Sequence, residues 1–133
     1  MNIEINSEYS EPVSFSFEQV KKYAELSGDK NPIHIDPDYA SKTSFKKCIV
    51  HGLLASSVFT KMIGGKFPGA GSVYLEQTLN FKNPVYADEN YTALLKVIDK
   101  RTSSKGKLIY KITTQLVDKT GLVLIDGIAT ILF

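Results

Sequence analysis

The sequence predicts an α+β fold in which one long central helix is wrapped by a curved antiparallel β-sheet. Two observations predict it. Residues 52–65 are apolar or small at nearly every position, and the half of the chain that follows holds four long segments in which polar and apolar residues alternate. Packing such a sheet around such a helix buries the apolar surfaces of both.

Two shorter helices are predicted in the first half of the chain. In "SFEQVKKYAEL", Ser16 precedes Gln19 by three positions, the pattern of a capping box, and apolar residues follow at helical spacing. This predicts a helix from about residue 17 to residue 26. Asp36 and Pro37 then offer an N-cap and a proline at the first helical position, which predicts a second, short helix.

The long helix is read from "HGLLASSVFTKMIGG", which Gly64 and Gly65 end. Because it is apolar or small nearly all round, we expect it to be buried in the middle of the fold.

Four strands follow the helix. The first is "SVYLEQTLNF", with one predicted apolar face made by Val73, Leu75, Leu79 and Phe81. The next three are "YTALLKVIDK", "KLIYKITTQLV" and "LVLIDGIATILF", and short turn signals separate all four. Short connections favour antiparallel neighbours. One helix inside such a sheet is the hot-dog fold in outline.

Length and composition limit the classes of protein to which the chain can belong. With 133 residues, 43% of them hydrophobic, the chain fits one domain over residues 1–133. Sixteen basic and fourteen acidic residues give a net charge of +2 without a long basic run, so we expect no nucleic-acid partner.

The expected location is the cytoplasm. The start, "MNIEINSEYS", is polar, and no stretch holds the 18 or more apolar residues of a membrane span, so we expect a soluble, unprocessed protein without a membrane partner. Cys48 is the one cysteine, which excludes an intrachain disulfide and a cysteine metal cluster and agrees with a reducing compartment. We interpret Cys48 as a small buried hydrophobe rather than a nucleophile.

The segment "LSGDKNPIHIDP" contains residues that we predict to be catalytic. Gly28 and the Asn31-Pro32 step favour a turn, so that Asp29 and His34 can converge from a bend. A carboxylate and an imidazole can hold a water between them and exchange protons with it, which suits addition or removal of water. The alternative is structural: Asp29 caps the turn and His34 packs at the edge of the core.

The second histidine, His51, opens the long helix next to Gly52. Gly52 has no side chain, so its backbone N–H at the helix N-terminus can approach a ligand oxygen that gathers negative charge. For His51 we favour a role in packing or in orienting the loop over a catalytic role.

Two segments carry a resemblance to a known family. "YAELSGDKNPIHIDPDYA" and "IVHGLLASSVFTKMIGGKFPGAGSVYLEQTLNFKNPVYADE" resemble the MaoC-like dehydratases and (R)-specific enoyl-CoA hydratases, and the likeness extends over roughly residues 15–132. The resemblance implies a homodimeric hot-dog protein that adds water to trans-2-enoyl-CoA. Coenzyme A is then part of the substrate, and no separate cofactor or metal is expected.

The resemblance also implies roles for particular residues. Asp29 and His34 match the catalytic acid–base pair, and Gly52 matches the residue whose N–H binds the thioester oxygen. The acyl chain is expected to run along the central helix. The candidate substrate contacts are Asn31, which more simply shapes the loop, His51, Thr60, Ile63, for which core packing is an equal alternative, and Thr130.

Three other functions stay open. A 3-hydroxyacyl-(acyl-carrier-protein) dehydratase would use similar chemistry on another carrier. A hot-dog thioesterase is disfavoured, because a paired acid and histidine suits water addition better than ester cleavage. A non-catalytic acyl-thioester binding subunit would need neither Asp29 nor His34.

Overall fold

The computed structural model describes residues 3–133, so the first two residues of the predicted domain lie outside it. The elements follow in the order β1 (Glu8–Val13), α1 (Phe17–Ser27), α2 (Pro32–Ile35), α3 (Pro37–Ser41), α4 (Gly52–Gly65), β2 (Val73–Gln77), β3 (Asn80–Phe81), β4 (Tyr91–Thr102), β5 (Leu108–Val117) and β6 (Val123–Leu132). One antiparallel sheet and the helix α4 share the hydrophobic core, as predicted, but the sheet has six strands where the sequence predicted four.

Local capping positions the helices of the first half. The Ser16 hydroxyl accepts from the Gln19 N–H, and the Gln19 side chain accepts from the Ser16 N–H, so the predicted capping box is confirmed. Asp36 caps α3 with Pro37 at its start, also as predicted. Between them lies α2, a single turn that Asn31 caps.

The helix α4 has one buried side and one exposed side. Phe59, Met62 and Ile63 are fully buried against the sheet. Leu53, however, is 62% exposed, and Ser57 and Thr60 on the same side also face outward. The expectation of a helix buried all round is therefore wrong for the single chain, because the sheet covers one side of α4.

The sheet order is β1-β4-β5-β6-β2, and β3 pairs with β6. The predicted antiparallel pairing of β4 with β5 and of β5 with β6 is confirmed. The strand that follows α4 departs from the prediction, since both of its parts pair with β6 instead of β4. The connection after Phe81 carries the chain across the sheet before β4 begins.

The predicted strand over residues 72–81 is two short pieces with a different inner face. Val73, Leu75 and Phe81 are 53%, 54% and 54% exposed, so the predicted apolar face is not the face that packs on the core. Tyr74 and Leu79 pack against the core instead. A register shift after Tyr74 and the break before Asn80 change which side chains point inward.

The sequence prediction missed β1. Its residues, "EYSEPV", alternate between exposed and half-buried positions at the edge of the sheet beside β4. An edge strand tolerates Pro12 and charged residues because its outer side needs no hydrogen-bond partner. Among the described helices, none has the length and apolar character needed to cross a bilayer.

Candidate active site

The loop that carries Asp29 is built from consecutive turns. The helix α1 ends at Gly28, whose φ of 79° is left-handed and suits glycine. The Asp29 N–H donates to the Ser27 hydroxyl at 3.1 Å, and Asp29 Oδ1 accepts from the Asn31 N–H at 3.2 Å. Within the described chain, the other carboxylate oxygen of Asp29 accepts no hydrogen bond, which leaves it for a ligand.

Asn31 links this loop to α2. Its side-chain oxygen accepts from the Ile33 N–H at 3.3 Å, and Pro32 occupies the first helical position. This local bond is the loop-shaping role that the sequence indicated for Asn31.

His34 lies in the last turn of α2, and its Nδ1 is 2.8 Å from the backbone oxygen of Ile49. A carbonyl oxygen can accept but not donate, so Nδ1 carries the hydrogen. In the neutral ring, Nε2 is then the nitrogen with a free lone pair, as a proton-transferring group requires.

The start of α4 supplies backbone donors. His51 is the N-cap of α4 but gives no side-chain hydrogen bond to the first turn. The N–H groups there, including that of Gly52, have no partner inside the helix and remain available to a ligand. A Cβ at Gly52 would lie 2.6 Å from the Phe81 ring, so a side chain at this position would require the Phe81 ring to move.

These groups share one pocket of about 290 Å³. Asp29, His34, His51 and Gly52 lie on its wall, so the structure brings together four of the residues predicted from the sequence. The other lining residues are mostly apolar: Tyr23, Ile49, Val50, Leu53, Phe81, Asn83, Pro84, Val85 and Ile125. The pocket therefore combines a few polar groups with an apolar wall, as binding sites commonly do.

Four predicted residues are not among those that line the pocket: Asn31 lies in the loop before α2, and the other three lie elsewhere in the described chain. Thr60 is exposed on α4, where its hydroxyl donates to the Ser57 oxygen. Ile63 is fully buried in the core, and Thr130 is half-buried on β6 opposite Lys111. Their side chains do not line this pocket.

Sequence reasoning missed Tyr23, Ile49 and Phe81. The Tyr23 ring meets the His51 ring edge-on at 4.7 Å, and Ile49 contributes its carbonyl oxygen to His34. A backbone acceptor has no signal in the sequence. Tyr23 stands at a helical position typical of core residues, and Phe81 was interpreted only as part of the apolar face of a strand.

Asp29, His34 and His51 have the composition of a metal site, with one potential ligand atom of each within 4.8 Å of the others. The two histidine rings are stacked, with centroids 3.9 Å apart and planes 26° apart. A ring nitrogen binds metal along a lone pair in the ring plane, so stacked rings direct their lone pairs side by side rather than toward one ion. This geometry does not fit a shared metal, and the absence of a cofactor stays a prediction.

Cys48 stands one residue before Ile49 and is half-buried. Burial, and then the nearby Asp36 carboxylate, raise the pKa of the Cys48 thiol. A raised pKa keeps the sulfur protonated and poorly nucleophilic, which argues against a thiol mechanism.

The fold and the pocket define a hot-dog protein with an acid and a histidine beside the N-terminus of its central helix. The chain belongs to the MaoC-like family, since the model described as "MaoC like domain" matches residues 2–119. This confirms the resemblance seen in the sequence.

Two of the individual proteins to which the chain is similar are a hydratase and a dehydratase. The (R)-specific enoyl-CoA hydratase of Aeromonas caviae is 38% identical over 117 residues, which are 88% of this chain and 85% of that protein. The mitochondrial 3-hydroxyacyl-(acyl-carrier-protein) dehydratase of Arabidopsis thaliana is 44% identical over 117 residues, which are 87% of this chain and 69% of that protein.

A solved structure confirms the hot-dog fold. The (R)-hydratase from A. caviae, described as involved in PHA biosynthesis, superposes with a TM-score of 0.90 at 36% identity. The match covers 97% of this chain and 96% of that one.

Proposed function

We propose that this protein is a hydro-lyase that adds water to trans-2-enoyl-CoA and forms (R)-3-hydroxyacyl-CoA, and that it also catalyses the reverse dehydration. The observation that carries the proposal is one pocket lined by the Asp29 carboxylate, the His34 ring and the backbone of Gly52 at the start of α4. The (R) configuration and the CoA carrier rest on the names of the enoyl-CoA hydratases to which the chain is similar.

In the proposed reaction, one water lies between the free oxygen of Asp29 and Nε2 of His34. The water oxygen bonds to C3 of the enoyl group while the pair takes a proton from the water and delivers one to C2. Water adds across the double bond, and no electrons are gained or lost. The two side chains form a coupled pair, so the roles of acid and base belong to them jointly.

The Gly52 N–H has the complementary role. As water attacks C3, negative charge gathers on the thioester oxygen, and an N–H donor at the N-terminus of α4 stabilises it. One such donor is typically worth about 10²- to 10³-fold in rate. The Phe81 ring lies over Gly52 and provides an apolar wall beside the reacting atoms.

Asn31, His51, Thr60, Ile63 and Thr130 remain proposed substrate contacts, directly or through the loop. For Thr60, Ile63 and Thr130, the proposal requires the pocket to lengthen along α4 when a long acyl chain enters. Ile63→Ala should then raise kcat/KM for longer enoyl-CoAs relative to crotonyl-CoA. An unchanged ranking of chain lengths would assign Ile63 to core packing alone.

A dehydratase acting on an acyl-carrier-protein thioester is the second candidate. The similarity to the Arabidopsis thaliana carrier-protein dehydratase favours it. The same pocket chemistry serves both carriers, so the two candidates differ in what the protein surface binds outside the pocket.

We also propose a homodimer. The strand β2 forms one edge of the sheet, and Val73 and Leu75 on it are more than half exposed. A second copy paired along this edge would satisfy its free backbone groups and cover both side chains.

Cytoplasmic location is likewise a proposal. It rests on the single half-buried cysteine, which fits a reducing compartment. The Arabidopsis thaliana relative is mitochondrial, so cell fractionation is the appropriate test.

The proposed function is tested with crotonyl-CoA and with the crotonyl ester of an acyl carrier protein. Mixed with the purified protein, crotonyl-CoA should lose its enoyl ultraviolet absorbance, and chiral analysis should find (R)-3-hydroxybutyryl-CoA. Faster loss with the carrier-protein ester would favour the second candidate. Binding of both esters without loss of absorbance would contradict hydration and indicate a binding subunit.

A further inference from the structure

His51 joins three separate pieces of the active site. It precedes Gly52 at the start of α4, and its ring contacts Tyr23 of α1 and His34 of α2. Its Nε2 also lies 3.0 Å from the backbone oxygen of Asp29. We infer that His51 is a positioning residue that fixes Asp29 and His34 relative to each other, an inference that rests on the proposed hydration.

The hydrogen bond from His51 ties the Asp29 loop to the body of the protein. In the described chain, every other hydrogen bond and ion pair of residues 28–31 joins groups within five positions of one another. The bond to His51 spans 22 positions. Local turns define the shape of the loop, whereas this bond defines where the loop sits.

The tautomer of His51 follows from the same contact. The Asp29 carbonyl oxygen accepts, so Nε2 of His51 carries the hydrogen. His51 is 2% exposed, and its Nδ1 has no hydrogen-bond partner among the described residues. The ring is thus held by one directed bond and by contacts with the Tyr23 and His34 rings, and its Nδ1 is buried.

His34 is held by residues 49–51, the short segment that also contains His51. Its Nδ1–H donates to Ile49, and its ring stacks on His51 two residues further on, at 3.9 Å between centroids. Together these contacts fix both the position and the rotation of the His34 ring, and therefore the direction of Nε2. A displacement of about 1 Å between reacting groups can lower a rate about 100-fold. A residue that fixes both Asp29 and His34 therefore contributes to the rate.

Two variants distinguish the contribution of the hydrogen bond from His51 to Asp29 from that of the stacked ring. His51→Phe keeps a ring that can stack on Tyr23 and His34 but has no donor for Asp29. His51→Gln loses the ring but keeps an N–H donor at about the reach of Nε2. We expect His51→Phe to lower kcat for crotonyl-CoA hydration about 10- to 100-fold with KM changed less than about three-fold. We expect His51→Gln to recover kcat several-fold over His51→Phe.

Kinetics would overturn the inference in either of two ways. A kcat of His51→Phe within two-fold of the unmodified protein would show that the bond is dispensable. A His51→Gln variant that is no faster than His51→Phe would show that the donor is not what matters. Circular dichroism and thermal unfolding check that both variants are folded.

A second measurement does not depend on turnover. The chain has two histidines, so ¹H–¹⁵N correlation spectra of the rings give two sets of signals. In the unmodified protein, His51 should carry its hydrogen on Nε2 and His34 on Nδ1, and the His34 signals should shift or broaden in His51→Phe. The opposite tautomer of His51, or unchanged His34 signals in His51→Phe, would overturn the inference. Absence of hydration with the expected spectra would refute the proposed function and leave the contact intact.

Discussion

At the scale of single residues, Gly127 on β6 is the glycine most tightly constrained by its surroundings. The backbone of Thr78 crosses directly over it where β2 ends, and the Thr78 hydroxyl accepts from the Ile128 N–H at 2.9 Å. A Cβ on Gly127 would overlap the Thr78 backbone oxygen. The break between β2 and β3 therefore depends on the absence of a side chain at this position.

Gly127→Ala should destabilise the protein by more than the roughly 1–3 kcal/mol typical of overpacking, because the obstacle is backbone rather than a movable side chain. Gly64→Ala is the matched control, since a Cβ at Gly64 meets nothing within 4 Å. In a helix, that change should stabilise by about 0.5–1 kcal/mol. Urea unfolding of both variants checks this, and equal stabilities would contradict the close approach of Thr78.

Some contacts between single residues of the site could be predicted from the sequence and others could not. Asp29, Asn31 and His34 lie in one short segment whose turns are coded locally by Gly28 and Pro32, so their convergence could be predicted. The contact of His51 with Asp29 spans 22 positions and depends on how α4 docks. No local pattern reports such a contact, which is why the sequence indicated only a general role for His51 in packing or in orienting the loop.

At the scale of elements, β3 is a strand of two residues that holds Phe81 beside Gly52. It is attached to β6 through the Asp126 carboxylate, which accepts from Asn80 Nδ2 at 3.0 Å and pairs with Lys82 Nζ at 2.9 Å. The hydrogen bond from Lys82, and then that from Asn80, lower the pKa of Asp126.

A lowered pKa in the folded protein means that the Asp126 contribution to stability is complete above the ordinary carboxyl range. It is lost as the pH falls through the lowered pKa. Asp126→Asn should therefore reduce the free energy of unfolding at pH 7 by roughly 0.2–1 kcal/mol, as for exposed ion pairs, and the difference should shrink as the pH falls below the ordinary carboxyl range. Urea unfolding at pH 7, 5 and 3 measures it. A difference that stays constant with pH would refute this role of the charge.

The elements differ in how well their sequences predict them. The helices α1 and α3 begin at capping residues that act within three positions, so their starts were predicted. The buried face of β2 was not predicted, because a register shift after Tyr74 interrupts the alternation of inward and outward side chains. The strand β1 was missed because its polar residues suit an exposed edge, where alternation of apolar residues is weak.

At the scale of the whole molecule, the sheet ends in an apolar edge. The strand β2 pairs with β6 on one side and leaves its other side open, and Val73 and Leu75 are exposed along it. Long apolar edges favour association with another strand. The proposed homodimer would place this edge between the two copies.

Val73→Lys combined with Leu75→Lys should convert the dimer to monomers, because two buried charges on each side would oppose pairing. Ile98→Lys is the control, since Ile98 is also exposed, at 41%, but lies on β4 inside the sheet. Light scattering after size-exclusion chromatography gives the masses. A double variant that keeps the dimer mass, or an unmodified protein that is monomeric at micromolar concentration, would contradict β2 as the interface.

The central claim is that Asp29 and His34 act on one water as a unit, and a double-mutant cycle tests it most directly. Asp29→Asn keeps the oxygen that accepts from Asn31, and His34→Asn keeps an N–H donor for Ile49. Each change should lower kcat for crotonyl-CoA hydration about 10²- to 10⁴-fold. The double variant should be no more than a few-fold slower than the slower single variant, because residues that act as a unit are non-additive. A single variant with near-normal kcat, or two effects that multiply, would contradict the claim.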